Sequence, residues 1–329
     1  MKTGKLPETV LKRSVIGQTG HRRPEVLCGP AVGIDCAALQ TREGEIFVFS
    51  SDPITGTTKD LGMHCIHVTA NDLAASGAEP VGVMLTLLLP PSVEEDELCQ
   101  IMQDCEKTCA ALNMEILGGH TEVTDVVRQP VISVTGVGRI KEGRLLNPAD
   151  IQPGEAVLLT KWIGLEATAI LAKEKEEELL KRFPPDFVRN AKELDRYLSV
   201  VPDALAAVSA GASAMHDVTE GGILGALWEI AEAAGVGLDV DIRAVPIRQE
   251  TVEICEYFRV NPYQIMSSGA MLIAARDGEA VLAALRDRGI PAAVIGRTTK
   301  GPERILRNGS DNIRYLDKPQ RDELYKVME

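Results

Sequence analysis

Aromatic side chains are scarce in this chain: two Trp, five Tyr and five Phe make up 4% of its 329 residues. So few rings leave little for the stacking platforms that grip single-stranded nucleic acid. Basic residues are also outnumbered, 35 Lys and Arg against 48 Asp and Glu, giving a formal net charge of −13. Such a surface repels a polyanion, which argues against nucleic acid as a partner. A small phosphate ligand stays compatible if metal ions or local dipoles neutralise it. No run of about 18 apolar residues occurs, so no membrane span is expected. The opening residues, MKTGKLPETVLKRS, lack the apolar core of a secretory signal, and a cytoplasmic protein is expected. The seven cysteines are odd in number and include no CxxC pair, which suits reduced thiols better than a disulfide framework. Cys99, Cys105 and Cys109 have no His nearby in sequence and read as core thiols. A GxxxxGK[ST] phosphate loop is absent as well.

What is present is an ordinary globular composition, 45% hydrophobic and 25% charged. The length suits two domains. The stretch LNPADIQPGEAVLL reads as a linker and turn before a new strand, which predicts domains of 1–150 and 151–329. In the first, GEIFVFSSD reads as a buried strand and residues 59–80 as a helix ended by Gly77 and Pro80. PVGVMLTLLLP is a strand, and Ser92 with Glu95 forms a capping box before a helix that reaches about Leu112. MEILGGHTE reads as a short strand running into a glycine-rich loop, and PVISVTGVGRI as a further strand. In the second, strand–helix–strand occurs twice, which gives an α/β or α+β fold. The run KEKEEELLKR reads as a solvated helix face.

Four aspartates stand where the local pattern predicts something apolar or neutral. Asp35 lies in VGIDCAAL, Asp52 ends the strand IFVFSSD, Asp72 lies in NDLAASGA, and Asp217 lies between ASAM and a Thr-Glu-Gly-Gly sequence. Singly, each has an ordinary reading as a cap or turn residue. Lys and Arg are scarce beside all four, and if the fold gathers them their repulsion requires divalent cations. Hard oxygen ligands suit Mg²⁺, and Mg²⁺ on aspartates suits a nucleotide polyphosphate. Two glycine pairs complement the acids. LGGHTEV is a turn whose amides suit phosphate oxygens, and the glycines of HDVTEGG stand at a helix start with Thr219 as a plausible N-cap. His64 and His67 flank Cys65, but no further ligand accompanies them and a surface or packing role is the better reading.

The motifs VGIDCAAL, SSD, NDLAASGAEP, GGHTE, HDVTEGG and SSGAMLIA occur in this order over nearly the whole chain. In that order and rough spacing they resemble the superfamily of aminoimidazole ribonucleotide (AIR) synthetase PurM, thiamine-monophosphate kinase ThiL, selenophosphate synthetase SelD and the hydrogenase-maturation protein HypE. The chain looks most like the HypE-like, AIR synthase-related branch. The resemblance implies a two-domain α/β fold and a homodimer formed through the N-terminal sheet. It also implies an ATP site without a phosphate loop, and Mg²⁺-dependent phosphorylation of an oxygen that activates it. Carried over residue by residue, it implies Asp35, Asp52, Asp72 and Asp217 as metal ligands. It places Asn71, Gly118, Gly119, His120 and Thr121 along the nucleotide, and Lys5 in a segment that folds over the phosphates.

Departures from the pattern bear on the reaction. Ile34 precedes Asp35 where many relatives have a second acid, and His120 stands where the kinase branch has Asp. Glu220 replaces an Arg of the HypE motif, and no Cys follows Cys255, whereas HypE ends in a cysteine that carries its reacting group. The expectation is therefore an ATP- and Mg²⁺-dependent enzyme acting on a separate small-molecule or protein-linked acceptor. Two alternatives remain open: a thiamine-monophosphate kinase-like phosphotransferase, and a non-catalytic nucleotide-binding maturation or regulatory partner.

Overall fold

The computed structural model describes residues 4–5, 8–28, 38–39, 45–54, 60–141, 145–309, 312–318 and 321–328. The chain divides into two compact units, residues 1–74 with 78–145, and residues 75–77 with 146–329. Each is a sheet covered by helices.

In unit 1 the elements are β1 (Gly4–Lys5), α1 (Glu8–Val10), β2 (Val26–Cys28), β3 (Ala38–Leu39), β4 (Ile46–Ile54), α2 (Leu61–Ala75), β5 (Glu79–Leu89), α3 (Glu95–Ala111), β6 (Glu115–Val123) and β7 (Val131–Ile140). The main sheet has the order β1-β6-β5-β7-β4, with β5 and β6 parallel and joined through α3. Side chains alternate across β4 and β5, so the sheet has two different faces. One face carries Val83, Leu85, Leu87, Ile132 and Val134, all buried under the helices. The other presents Phe49 at 69% exposure and Met84 at 37%.

Glycines let α2 lie close on both sides. A Cβ on Gly136 of β7 would sit 2.4 Å from Thr69 Cγ2, and one on Gly62 would sit 2.4 Å from the Ile101 carbonyl oxygen of α3. A helix sandwiched this tightly is buried nearly all round, which is why its amphipathic period is weak. The strand β4 is a sheet edge with exposed Ile46 and Phe49, so the expectation of a buried strand is corrected. The expected Ser92 capping box is corrected too: α3 is capped at Glu94, which makes no side-chain cap hydrogen bond.

An ion network braces the lower edge of this sheet. Glu25 Oε1 accepts from Arg139 Nη2 at 2.6 Å and from Arg23 Nη2 at 3.1 Å, while Arg23 Nη2 also reaches Glu79 at 3.3 Å. The Arg23 hydrogen bonds outweigh burial and, with Arg139, hold the Glu25 carboxyl down to about 2.

In unit 2 the elements are β8 (Ala156–Thr160), α4 (Leu165–Glu174), α5 (Glu176–Leu179), α6 (Pro185–Lys192), α7 (Val201–Ser209), β9 (Ala212–Asp217), α8 (Gly222–Ala234), β10 (Gly237–Asp241), α9 (Gln249–Phe258), β11 (Met271–Ala275), α10 (Gly278–Asp287), β12 (Ala292–Thr299), β13 (Arg304–Arg307), β14 (Ile313–Tyr315) and α11 (Tyr325–Met328). The sheet order is β14-β13-β10-β12-β8-β11-β9. One core packs α8 through Ile223, Leu227 and Ile230 against Val157, Leu159 and Leu272 of the sheet. A second joins α4, α6 and α9 and takes in Leu324 near the C-terminal end. The charged run 173–182 spans the end of α4 and α5 and keeps only Leu179 buried, as a solvated face should.

Candidate functional site

Unit 1 brings two of the four predicted acids together. Ser50 and Asp52 are two residues apart on β4 and so share a face, the one beneath α2. Ser50 lies opposite Gly136, the residue that admits α2, and the closeness of the helix delivers Asp72 to the same spot. Ser50 Oγ lies 2.6 Å from Asp72 Oδ2 and 3.1 Å from Asp52 Oδ2. A hydroxyl has one proton to give, so it donates fully to only one of two carboxylates at a time. Three oxygens thus converge under two negative charges, the donor set a hard cation prefers. Ser50 was missed from the sequence; its signal was its place two residues before Asp52.

Asn71, next on α2, is fully buried. Asp35 lies outside the described residues. Among the described residues no group of three or more His, Cys, Asp or Glu side chains is placed to hold a metal ion.

Gly118 and Gly119 require a correction. They do not form a loop: β6 runs through them as nine continuous residues paired to β5. A bulge at Leu117 shifts the register, and Gly119 then faces Leu85 so closely that a Cβ would lie 1.8 Å from its carbonyl oxygen. The glycines serve strand packing at a bulge. His120 lies opposite Thr86 on the uncovered face, 3.2 Å from Glu122 Oε2. Thr121 is buried. In β1, Lys5 pairs with Glu122, so Lys5 and residues 118–121 share one end of the sheet. The Asp52–Asp72 pair sits at β4, three strands from β6, about 14 Å at ordinary strand spacing, on the covered face that Gly119 and Thr121 share and opposite to that of His120.

Unit 2 builds its own convergence at the ends of β8 and β9. Asp217 is the last residue of the edge strand β9, opposite Met271, and is 4% exposed. His216 Nε2 lies 3.0 Å from Glu229 Oε2, and its Nδ1 lies 3.9 Å from Asp217 Oδ1. Burial opposes the imidazolium, but the two carboxylates outweigh it and raise the His216 pKa.

The HDVTEGG turn also differs from expectation. Thr219 is not the N-cap: α8 begins at Gly222 with Gly221 as cap, at φ 81°, and Thr219 contributes only its carbonyl oxygen to the Gly222 amide at 3.1 Å. Gly222 has φ 60°, and a Cβ there would fall within 2.9 Å of the Tyr263 and Ile265 backbone. The second glycine is thus explained by the loop before β11. The Gly221 amide donates to Asp322 Oδ2 at 2.7 Å, a residue sequence reasoning did not single out. Burial, together with exposed Glu220, raises the Asp322 pKa even though the Gly221, Leu324 and Met266 amides favour its charge.

The SSGAMLIA motif closes the same region. Gly164, the αL cap of α4, donates its amide to Ser267 Oγ at 2.7 Å, and the Ala167 amide reaches the Met266 carbonyl at 3.3 Å. The Leu224 amide of α8 reaches the Tyr263 carbonyl at 3.2 Å. The loop 261–269 is therefore held between the starts of two helices.

Two units, each a mixed sheet covered by helices, define a protein class that sequence comparison identifies. The AIR synthase related protein family model matches at its N-terminal domain over residues 33–140 and at its C-terminal domain over 152–307. The chain belongs to the AIR synthase related protein family. It is 29% identical over 302 residues to a putative hydrogenase expression/formation protein of Methanocaldococcus jannaschii, covering 89% of this chain and 88% of that one. It is 30% identical over 271 residues to the carbamoyl dehydratase HypE of Rhodobacter capsulatus, covering 79% and 77%. The fold matches a crystal structure of the hydrogenase maturation protein HypE in complex with ATP, with TM-score 0.79 at 21% identity over 96% of this chain and 95% of that one. The expected two-domain AIR synthetase-like fold of the HypE-like branch is thus borne out. Among the described residues no helix is long and apolar enough to cross a membrane.

Proposed function

We propose that this chain is an ATP- and Mg²⁺-dependent enzyme that phosphorylates an oxygen of a separate acceptor, small-molecule or protein-linked, and so activates it. The observation that carries this reading is the Asp52–Ser50–Asp72 convergence, with Oγ 2.6 and 3.1 Å from the two carboxylates. These three oxygens suit Mg²⁺, which when bound neutralises charge on a transferring phosphoryl group. Phosphoryl transfer needs positioning and charge neutralisation more than covalent help from the protein, so such a cluster is suitable equipment. The likeness to a HypE solved with ATP supports ATP as the nucleotide. Asn71, residues 118–121 and Lys5 are proposed to line it.

In this reading domain 1–150 holds nucleotide and metal, domain 151–329 contributes Asp217, and the protein acts in the cytoplasm. The chain pairs as a homodimer through the uncovered face that carries Phe49 and Met84, which no helix of unit 1 shields among the described residues. A non-catalytic nucleotide binder is the second reading. It is favoured by the Asp322 carboxylate already occupying the Gly221 amide, so that this helix start is answered by the chain's own acid.

The test is ATP consumption with Mg²⁺ in the presence of carboxylate, carboxamide, phosphate and hydroxyl acceptors. Acceptor-dependent release of ADP or AMP, absent in Asp72→Ala, is expected. Tight Mg²⁺–ATP binding with no turnover on any acceptor supports the second reading instead.

A further inference from the structure

The C-terminal stretch RDELYKVM is bound into unit 2 by more than its apolar residues. Leu324 is 1% exposed and packs with Val188, Ile254 and Val260. The Glu323 amide donates to the Gln264 carbonyl at 3.2 Å, and Glu323 Oε2 accepts from the Asn261 amide at 3.3 Å. These contacts suffice to dock the segment, and burying one leucine contributes about 2 kcal/mol.

Asp322 does something else. Its carboxylate, on a residue 1% exposed, spans three pieces of backbone: Oδ2 takes the Gly221 amide at 2.7 Å, Oδ1 takes the Leu324 amide at 2.8 Å, and the Met266 amide adds a third bond. A buried carboxylate is expensive, and a nearby exposed acid, Glu220, adds to the cost. Docking Leu324 does not require it. What the charge provides is a rigid anchor at the positive start of α8, where the helix dipole and unbonded amides favour an anion.

The anchor falls on the turn that follows Asp217. That turn leaves an edge strand, so β11 pairs it on one side only. The inner side is held by the Val218 amide on the Ala270 carbonyl at 3.0 Å. Gly221 and Gly222 both have positive φ, the most permissive backbone in the turn. Asp322 pins that backbone four residues from Asp217.

We propose that Asp322 is a positioning residue: its carboxylate fixes the 218–222 turn, and through it the Asp217 carboxylate, in the arrangement used with nucleotide. This rests on the functional reading above. The C-terminal segment would thus fix the turn beside Asp217 without supplying a reacting group.

Two readouts on the intact protein test this, amide hydrogen exchange across 217–226 and affinity for Mg²⁺–ATP. Asp322→Ala should raise exchange at Gly221 by at least tenfold while the Glu323 amide, bonded to the Gln264 carbonyl, stays protected, and should weaken Mg²⁺–ATP about tenfold. Asp322→Asn, which keeps an acceptor oxygen, should restore most of the Gly221 protection and at least half of the lost affinity on a logarithmic scale. If Asp322→Ala fails to fold, Asp322→Asn and Asp322→Glu carry the same comparison against wild type. Unchanged Gly221 exchange overturns the proposal. So does loss of affinity that only follows lost thermal stability and is not rescued by Asn. Wild-type protein that binds no Mg²⁺–ATP defeats the functional reading and the positioning role with it, whereas normal binding in an Asp322→Ala protein with faster Gly221 exchange defeats the positioning role alone.

Discussion

The acids of unit 1 and those of unit 2 are handled in opposite ways. In unit 1, Asp52 and Asp72 approach one another across a single hydroxyl, and one proton is shared between two carboxylates. In unit 2, the protein's own groups answer the acids: His216 stands beside Asp217, and backbone amides surround Asp322. Two carboxylates drawn to one hydroxyl suit a hard cation, while a carboxylate bonded by three amides serves to hold geometry. The contrast is the basis for proposing metal and nucleotide chemistry at the Asp52–Asp72 pair and a turn-holding role for Asp322.

The glycines offer the largest way to break the comparison. Gly119→Ala places a methyl against the Leu85 carbonyl at φ 149°, and Gly222→Ala places one against the 263–265 backbone at φ 60°. Urea unfolding should show losses of about 4 kcal/mol or more for Gly119→Ala and about 2–3 kcal/mol for Gly222→Ala. Near-neutral stability at Gly119 would contradict the continuous strand.

A smaller effect separates the units by pH. Glu25 has a folded pKa of about 2 against an ordinary 4.5, so its contribution is complete above 4.5 and is lost as pH falls toward 2. His216 is raised from 6.5, so its contribution is complete below 6.5 and disappears as pH rises through the higher folded value. Thermal melts across pH should therefore flatten at the acid end in Glu25→Gln and above pH 6.5 in His216→Asn. Either variant flattening the opposite limb would contradict these assignments.

Much of this was legible in advance, and the misses have physical causes. The strands and helices of both units follow from periodicity and from Gly and Pro punctuation. Gly118–Gly119 reads as a loop because paired glycines signal turns, but parallel pairing with β5 is a tertiary effect that no local pattern carries. Thr219 matches a cap preference, yet positive φ at Gly221 and Gly222 moves the helix start past it. Ser50 was hidden because its role depends on how closely α2 approaches Gly136. Asp322 was hidden because its partner, Gly221, lies 101 residues away. Asp52 and Asp72 were legible, since acids in apolar surroundings must be matched by something.

The most direct measurement is calorimetric titration of ATP into wild-type, Asp72→Asn and Ser50→Ala protein, with Mg²⁺ and with the metal chelated. The metal should strengthen binding to wild type by at least tenfold. Asp72→Asn should lose nearly all of that gain and Ser50→Ala about three- to tenfold of affinity, with thermal stability kept. Binding that is indifferent to Mg²⁺, or equally strong in Asp72→Asn, would contradict the assignment of the Asp52–Ser50–Asp72 cluster as the metal–nucleotide centre.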